Sequence, residues 1–140
     1  MQMIDHGTLA ADARESCLII EDSDFDREKL TRVMQLTKET MKIEVASTLR
    51  SARRALAKGR PTMILLDNNL PDGLGADFAL ELSQDPELRA VPIIMVSDWP
   101  SPFMWEKAAS AGVAYVLSKS EFDVRYVRSV LHAQNRQRIN

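Results

Sequence analysis

The stretch MILLDNNLPDGLG, from Met63 to Gly75, decides the fold of this chain. Four apolar residues are followed at once by an acid, Asp67, and then by a turn that contains proline and glycine. A continuous apolar run of this length is typical of a parallel strand covered by helices on both faces. An acid at the end of such a strand is either a turn cap or a reacting group. Asp67 alone does not separate these two interpretations.

Apolar runs of the same kind recur along the chain and alternate with helix-like segments. The segment 41–46 differs from the others because it alternates in polarity, with Lys42 and Glu44 on one face. That alternation predicts an edge strand with one side in water. The predicted strands are residues 17–20, 41–46, 63–66, 93–96 and 113–117.

Helical periodicity fills the intervals between these strands. Asp24 and Ser47 are the predicted N-caps of the first two helices, and the segment 59–61, Gly-Arg-Pro, ends the second. Five strand–helix repeats predict the α/β class with a doubly wound parallel sheet. The predicted core faces of the helices are Phe25, Leu30, Val33 and Met34; Leu49, Ala52 and Leu56; Phe78, Ala79 and Leu82; Met104 and Ala108; and Val124, Val127 and Leu131.

Length and composition narrow the class of protein. The 140 residues predict one domain over residues 17–140, preceded by a leader over residues 1–16. The net charge of -2 gives no reason to expect nucleic acid or a membrane surface as a partner. The single cysteine, Cys17, excludes an internal disulfide and a multi-cysteine metal site. No apolar stretch reaches the roughly 18 residues of a membrane span, and no signal peptide is evident, so we expect a cytoplasmic location.

Polar residues follow the apolar runs directly. In doubly wound sheets, binding and chemistry collect at the carboxyl ends of the strands. We therefore expect three acids, a hydroxyl and a lysine to meet at one edge of the sheet. The residues concerned are Glu21 and Asp22, then Asp67, then Ser97, then Lys119, which follows Ser118.

This set of side chains suits one kind of chemistry. Three carboxylates close together raise at least one pKa, and a divalent cation with oxygen ligands, such as Mg²⁺, relieves the repulsion. The ammonium of Lys119 and the hydroxyl of Ser97 complete a receptor for phosphoryl oxygens, with an Asp67 oxygen as the in-line nucleophile. Considered alone, Lys119 would be interpreted as a solvated surface lysine, and Ser97 would indicate no particular function. The prediction rests on their joint position.

Residue spacing excludes a calcium-binding loop and a histidine-based metal or catalytic site. The alternating acids from Asp22 onward suggest a calcium loop, but Arg27 stands at the sixth position and Val33 at the twelfth, where glycine and glutamate are needed. The two histidines, His6 and His132, have no partner at metal or triad spacing. A phosphohydrolase is disfavoured because no general acid is found near the reacting carboxylate.

The chain resembles the receiver domain of two-component response regulators from about Cys17 to Gln137. The resemblance rests on the segments IIEDS, LLDNNLPDG, IIMVS and VLSK, and on their spacing, which is close to that of a single-domain chemotaxis regulator. It implies a flavodoxin-like fold with five strands in the order 2-1-3-4-5. The alternating second strand, predicted to lie at an edge, agrees with that order.

The resemblance also implies a role for each matching residue. A histidine kinase or a histidine phosphotransfer protein would supply the phosphoryl group to Asp67, in a Mg²⁺-dependent step that the receiver catalyses on itself rather than as a turnover enzyme. The product would alter the affinity for a downstream protein partner. Mg²⁺ would be held by Asp22, Asp67, the backbone carbonyl of Asn69 and, through water, Glu21, while Ser97 and Lys119 bind phosphoryl oxygens.

Three positions depart from the family pattern. Ser120 follows Lys119 where proline is usual, Val116 stands where an aromatic residue is usual, and Asp98 follows the hydroxyl residue where a small residue is usual. Trp99, next along, either screens the site from water or is an exposed loop aromatic. These departures leave a second hypothesis open, a pseudo-receiver adaptor that binds partners without phosphorylation.

The last helix carries a second apolar stripe, Phe122, Tyr126 and Val130. Such a stripe belongs either to a well-buried helix or to a partner surface. On the second interpretation, a homodimer would form through the fourth helix, the fifth strand and the fifth helix. Because the chain ends at Asn140, we expect either a stand-alone receiver or a piece of a longer protein.

Overall fold

The computed structural model describes residues 15–139, and the side chains of residues 15–134. Five strands alternate with five helices, as the sequence predicted. The strands are β1 (Ser16–Ile20), β2 (Lys42–Ala46), β3 (Met63–Leu66), β4 (Ile93–Ser97) and β5 (Tyr115–Ser118); the helices are α1 (Asp24–Thr37), α2 (Leu49–Lys58), α3 (Gly75–Ser83), α4 (Pro102–Ser110) and α5 (Val124–Ile139). Residues 1–14 of the predicted leader lie outside the described residues, and Ser16 belongs to β1.

The five strands form one parallel sheet in the order β2-β1-β3-β4-β5. This is the flavodoxin-like order, and it confirms the predicted fold class. The central strands β3 and β4 are buried at every position, which explains their continuous apolar sequences. Strand β2 is an edge strand, and Lys42 and Glu44 are exposed on it.

The sheet separates two apolar layers, because alternate residues of each strand point to opposite faces. Leu18 and Ile20 of β1 pack with α2, α3 and α4, whereas Cys17 and Ile19 pack with α1 and α5. Burial raises the pKa of the Cys17 thiol, so this cysteine is an inert core residue. Between residues 15 and 139, no helix combines the length and the apolar character that crossing a bilayer requires.

Both predicted N-caps are wrong by one residue. Ser23 caps α1 by accepting a hydrogen bond from the Asp26 N–H, and Thr48 caps α2 by accepting one from the Ser51 N–H. Neighbouring polar residues before a helix can each serve as its N-cap. The residue that does so is the one whose side chain accepts a hydrogen bond from the backbone N–H three residues later. Ser51 also accepts a hydrogen bond from the Thr48 N–H, which completes a capping box.

The prediction for Phe25 is also wrong, because its side chain is 72% exposed. The buried residues of α1 are Leu30 and Met34, with Val33 partly buried beside them. Phe25 precedes Leu30 by five positions, which places it about 140° around the helix from that residue. It therefore faces solvent, where the ammonium of Lys29 lies 5.7 Å from the centre of its ring.

The apolar stripe before and along α5 belongs to the core. Phe122 and Val130 are buried, and Tyr126 packs edge-on against Tyr115 of β5 with ring centres 5.1 Å apart. The interpretation of this stripe as part of a well-buried helix is therefore the one that the structure supports. Large exposed aromatic side chains occur instead on and just before α4, at Trp99, Phe103 and Trp105.

Candidate functional site

Asp67 lies at the carboxyl edge of the sheet, directly after β3, and is 5% exposed. Its N–H donates to the carbonyl of Ile20 at 3.0 Å, which continues the β1–β3 pairing by one residue. The chain then folds back on itself, since Asn69–Leu70 pairs antiparallel with Gly73–Leu74. The Asp67 carboxyl is therefore fixed between a sheet strand and a tight hairpin.

Gly75 is required at this point by a close approach of two backbone segments. A Cβ atom on Gly75 would lie 2.2 Å from the carbonyl oxygen of Asp67, far inside van der Waals contact. The N–H of Gly75 donates to the carbonyl of Asn68 at 2.7 Å, and the N–H of Ala76 donates to the Asn68 side chain at 2.9 Å. The first turn of α3 is thus held against Asp67 and Asn68.

The turn after Asp67 is also anchored to α2. The carboxylate of Asp72 accepts hydrogen bonds from the N–H groups of Leu49 and Arg50, at 2.8 and 3.0 Å. These bonds hold the pKa of Asp72 below its usual value. Asp72 therefore satisfies two N–H groups in the first turn of α2, a structural role that sequence reasoning did not assign.

Three acids meet beside Asp67. One carboxylate oxygen from each of Glu21, Asp22 and Asp67 lies within 4.8 Å of the others. Glu21 is buried and Asp22 is exposed, so the cluster runs from the interior to solvent. The pKa of Asp67 is raised to about 7, chiefly by burial and also by the neighbouring charge of Glu21, while Lys119 opposes the change. Burial likewise raises the pKa of Glu21, with Lys119 again opposing.

The donor atoms of this cluster fit a small divalent cation. Glu21 Oε2 accepts a hydrogen bond from the N–H of Ser23 at 3.1 Å, but the buried Oε1 accepts none from the residues that the structure describes. Oxygen ligands with more than one negative charge are those that Mg²⁺ prefers, and a bound cation would favour the charged forms that burial disfavours. Asn69, the predicted carbonyl ligand, lies in the hairpin two residues after Asp67 and is exposed.

Lys119 follows β5 and points into the same cluster. Its Nζ lies 3.0 Å from Glu21 Oε1, outside hydrogen-bond geometry, and 3.9 Å from Asp67 Oδ1. Its shortest contact is a hydrogen bond of 2.7 Å to Asp26 Oδ2, and Asp98 Oδ2 lies 3.9 Å away. Although burial works against the ammonium, contacts with Asp26, Glu21 and Asp67 raise the pKa of Lys119 above its usual value.

The loop that carries Lys119 is held without proline. The N–H of Ser118 donates to Glu121 Oε1 at 2.9 Å, and the N–H of Glu121 donates to Ser118 Oγ at 3.2 Å. The hydroxyl groups of Ser118 and Ser120 lie 3.1 Å apart. No cis peptide bond occurs over residues 15–139, so the bond between Lys119 and Ser120 is trans. The reciprocal pair of hydrogen bonds fixes the loop in place of a proline ring.

Ser97 is the last residue of β4 and stands opposite Ser118 of β5 in the sheet register. It is completely buried, and its Oγ has no hydrogen-bond partner among the described residues. Val116 is buried in the apolar layer on the α2–α4 side of the sheet. Trp99 is 86% exposed, so its ring does not cover the carboxylates. The buried Ser97 hydroxyl, which has no partner among the described residues, lowers stability unless another group binds it.

Four of the side chains that the sequence predicted to meet lie close together in the structure. Glu21, Asp22, Asp67 and Lys119 approach one another, as the positions of the strand ends predicted. Sequence reasoning missed Asp26, which makes the shortest contact with Lys119. The available signal was its place in the first turn of α1, the helix that begins just after the acid pair.

Comparison with known proteins identifies the family. Residues 17–131 match the profile of the response regulator receiver domain, so the chain belongs to this family of two-component signalling domains. The KDP operon transcriptional regulatory protein KdpE of Escherichia coli is 33% identical over 102 residues. That match covers 73% of this chain and 43% of KdpE, so the chain spans less than half the length of this relative.

Solved structures agree with this assignment. The signal receiver domain of a signal transduction histidine kinase from Syntrophus aciditrophicus superposes with a TM-score of 0.74, at 26% identity, over 86% of this chain and 90% of that chain. The Mn(2+)-bound form of the response regulator Rcp1 superposes with a TM-score of 0.65, at 24% identity, over 83% of this chain and 88% of that chain. At this identity, the similarity to Rcp1 shows a shared fold.

Proposed function

We propose that this receiver accepts a phosphoryl group on Asp67 from a histidine kinase or a histidine phosphotransfer protein, and that the modification changes its affinity for a protein partner. One observation carries the proposal. The ammonium of Lys119 lies 3.9 Å from Asp67 Oδ1, at the sheet edge that also bears the carboxylates of Glu21 and Asp22. Acidic side chains that suit a cation, the carboxylate that we propose as nucleophile, and a positive charge are thus next to one another.

The transfer is a simple exchange of bonds at phosphorus. An oxygen of the Asp67 carboxylate attacks the phosphorus atom, and the bond from phosphorus to the donor's histidine nitrogen breaks, with the electron pair kept by that nitrogen. The product is an acyl phosphate on Asp67. Lys119 and the unpartnered hydroxyl of Ser97 bind phosphoryl oxygens, and so lower the energy of the charge that develops there.

Mg²⁺ is the cation that we assign to this site. Asp22, Asp67, the backbone carbonyl of Asn69 and, through water, Glu21 would hold it. When bound, Mg²⁺ supplies positive charge that offsets the charge of the phosphoryl oxygens. The existence of a Mn(2+)-bound form of Rcp1, which has the same fold, supports a divalent cation.

A pseudo-receiver adaptor is the second candidate function, and a specific contact favours it. Lys119 is hydrogen-bonded to Asp26 at 2.7 Å and is further from Asp67, so its ammonium is already occupied. Asp98 adds another carboxylate 3.9 Å from Lys119. On this hypothesis the domain binds its partner through a fixed surface, with no phosphorylation.

The partner surface that we propose is formed by α4, β5 and α5, for a downstream protein or a second copy of this chain. Phe103 and Trp105 of α4 are 78% and 52% exposed, and Trp99 lies just before the helix. The apolar stripe of α5 is buried, so α5 contributes only its outer face. We place the protein in the cytoplasm, acting as a switch rather than as a turnover enzyme; neither nucleic acid nor a membrane is part of the proposal.

Intact-mass measurement after incubation with Mg²⁺ and acetyl phosphate tests this function. We expect the wild-type chain to gain the mass of one phosphoryl group, and Asp67→Asn to gain none. Asp24→Asn is a matched control, because the Asp24 carboxylate is 91% exposed and pairs with Arg27 rather than with Lys119. If the wild-type chain gains no mass with the donor in excess, the adaptor hypothesis is preferred.

A further inference from the structure

Asp26 and Lys119 form the shortest charged contact in the cluster. Lys119 Nζ donates to Asp26 Oδ2 at 2.7 Å, and both side chains are largely shielded from water, at 11% and 20% exposure. An ion pair between partly buried groups with good hydrogen-bond geometry is stronger than a pair on the surface. The sequence did not assign Asp26 any role.

Local structure explains why the Asp26 carboxylate is free to reach Lys119. Asp26 is the third residue of α1, where an acidic side chain commonly folds back to accept the N–H of the N-cap residue. Here the N-cap is Ser23, and its N–H donates to Glu21 Oε2 instead. Because Glu21 takes this donor, the Asp26 carboxylate extends toward Lys119.

The ammonium of Lys119 is therefore shared among competing carboxylates. Four carboxylates surround its Nζ, with oxygens of Asp26 at 2.7 Å, Glu21 at 3.0 Å, and Asp67 and Asp98 at 3.9 Å each. A phosphoryl group on Asp67 would add further negative oxygens on the same side. Lys119 would have to loosen its bond to Asp26 in order to bind them.

The surroundings give Lys119 room for this movement. Asp26 and Lys119 line an open cavity of about 170 Å³ between α1 and the start of α5. Lys29 and Arg32 also line the cavity, together with apolar residues that include Phe122. The Lys119 side chain therefore borders open space on the side of α1.

We propose that Asp26 is a positioning residue that holds the ammonium of Lys119 away from Asp67 in the unphosphorylated protein, and so restrains the loading of Asp67. This inference rests on the proposed function. Asp26 acts only through Lys119 and does not touch the phosphoryl group. Removing its charge releases the ammonium, and it also removes an acid that repels an anionic donor.

The test compares Asp26→Asn with the charge-matched control Asp24→Asn, which removes an acid from the same helical turn but leaves Lys119 untouched. Two quantities are measured in Mg²⁺: the rate of mass gain with limiting acetyl phosphate, and the dissociation constant of beryllofluoride, a phosphoryl mimic, by calorimetry. We expect Asp26→Asn to load about five- to tenfold faster and to bind beryllofluoride about five- to tenfold more tightly. Asp24→Asn and Asp26→Glu should stay close to wild type.

Thermal unfolding separates positioning from a purely structural role. Asp26→Asn should unfold at a lower temperature than wild type, because an ion pair is lost, while its loading rate rises. If Asp26→Asn does not fold, Asp26→Ser repeats the comparison with a smaller neutral side chain. Loading by Asp26→Asn that equals or falls below that of Asp24→Asn overturns the inference alone, since the wild type still loads. A wild type that neither loads nor binds beryllofluoride overturns this inference and the proposed function together.

Discussion

Lys119 Nζ lies 3.9 Å from Asp67 Oδ1, although the two residues follow strands that are not neighbours in the sheet. Strand β4 lies between β3 and β5, and it ends at Ser97. The contact between Lys119 and Asp67 therefore crosses the end of β4, where Ser97 is buried with an unpartnered hydroxyl. Parallel pairing places all three strand ends at one edge, and this is how residues distant in the chain form one cluster.

Binding of Mg²⁺ should stabilise the fold through the acidic cluster. We expect millimolar MgCl₂ to raise the unfolding free energy by RT ln(1 + [Mg²⁺]/Kd), which is about 2.7 kcal/mol when the concentration is 100 times the dissociation constant. Asp22→Asn should lose most of this gain, because it removes the exposed carboxylate of the cluster. Thermal and urea unfolding with and without MgCl₂ measure the effect.

Glu44→Gln is the control for this prediction, since Glu44 is an exposed acid on the edge strand β2. It should respond to Mg²⁺ as the wild type does. An equal response of wild type and Asp22→Asn would contradict the assignment of the cation to this cluster.

Asp67 should make the stability of the cation-free protein depend on pH. Its pKa in the folded chain is raised from 3.8 to about 7, chiefly by burial. Between these values the folded state binds more protons than the unfolded state, so stability falls as the pH rises through this window. Asp67→Asn removes this titration. In EDTA it should be more stable than wild type by about 4 kcal/mol at pH 8, and close to wild type near pH 4.

Urea unfolding of both proteins from pH 4 to pH 8 measures this difference. Added Mg²⁺ should reduce the advantage of Asp67→Asn at pH 8, because the cation favours the charged carboxylate. A stability difference that does not change with pH would show that Asp67 is not the titrating group.

Loss of the Ser97 hydroxyl should affect the stability of the fold and the binding of the phosphoryl group in different ways. Its Oγ is fully buried with no hydrogen-bond partner, so Ser97→Ala removes an unsatisfied group and should leave stability unchanged or raise it by about 1 kcal/mol. The same variant should shorten the lifetime of the phosphorylated protein or slow its formation. Ser97→Thr keeps the hydroxyl and should load like wild type. The prediction fails if Ser97→Ala forms and loses the acyl phosphate at wild-type rates.

Gly75 should be intolerant of any side chain. A Cβ there would lie 2.2 Å from the Asp67 carbonyl oxygen, so Gly75→Ala should cost about 3 kcal/mol of unfolding free energy and displace the acid. Gly59→Ala is a matched control, because no atom lies within 4 Å of its added Cβ and its φ of 166° is extended backbone. We expect that control to change stability by less than about 0.5 kcal/mol. Equal costs for the two variants would contradict the close approach described here.

The sequence predicted those features that depend on strand periodicity. Continuous apolar runs at β1, β3 and β4 indicate strands buried on both faces, and the residues that end them must then share one edge. The cluster of Glu21, Asp22, Asp67 and Lys119 follows from this rule alone, without knowledge of any helix packing.

Features that depend on side chains from helices and loops were not predicted. Asp26 reaches Lys119 because Glu21 occupies the N–H of Ser23, a choice among hydrogen-bond acceptors that periodicity does not encode. Asp72 caps α2 from a distant turn for a similar reason. Phe25 has the apolar character of a core residue, but its position about 140° around α1 from Leu30 turns its side chain toward solvent.

The decisive measurement is the position of the acyl phosphate in the chain. After incubation with Mg²⁺ and acetyl phosphate, reduction with borohydride converts an aspartyl phosphate to homoserine, and peptide mass mapping finds the altered residue. We expect the change at position 67 alone, in the peptide that contains LLDNNLPDG, and no change when Mg²⁺ is withheld. Homoserine at a different aspartate, or none in a protein that is folded and binds Mg²⁺, would contradict this expectation.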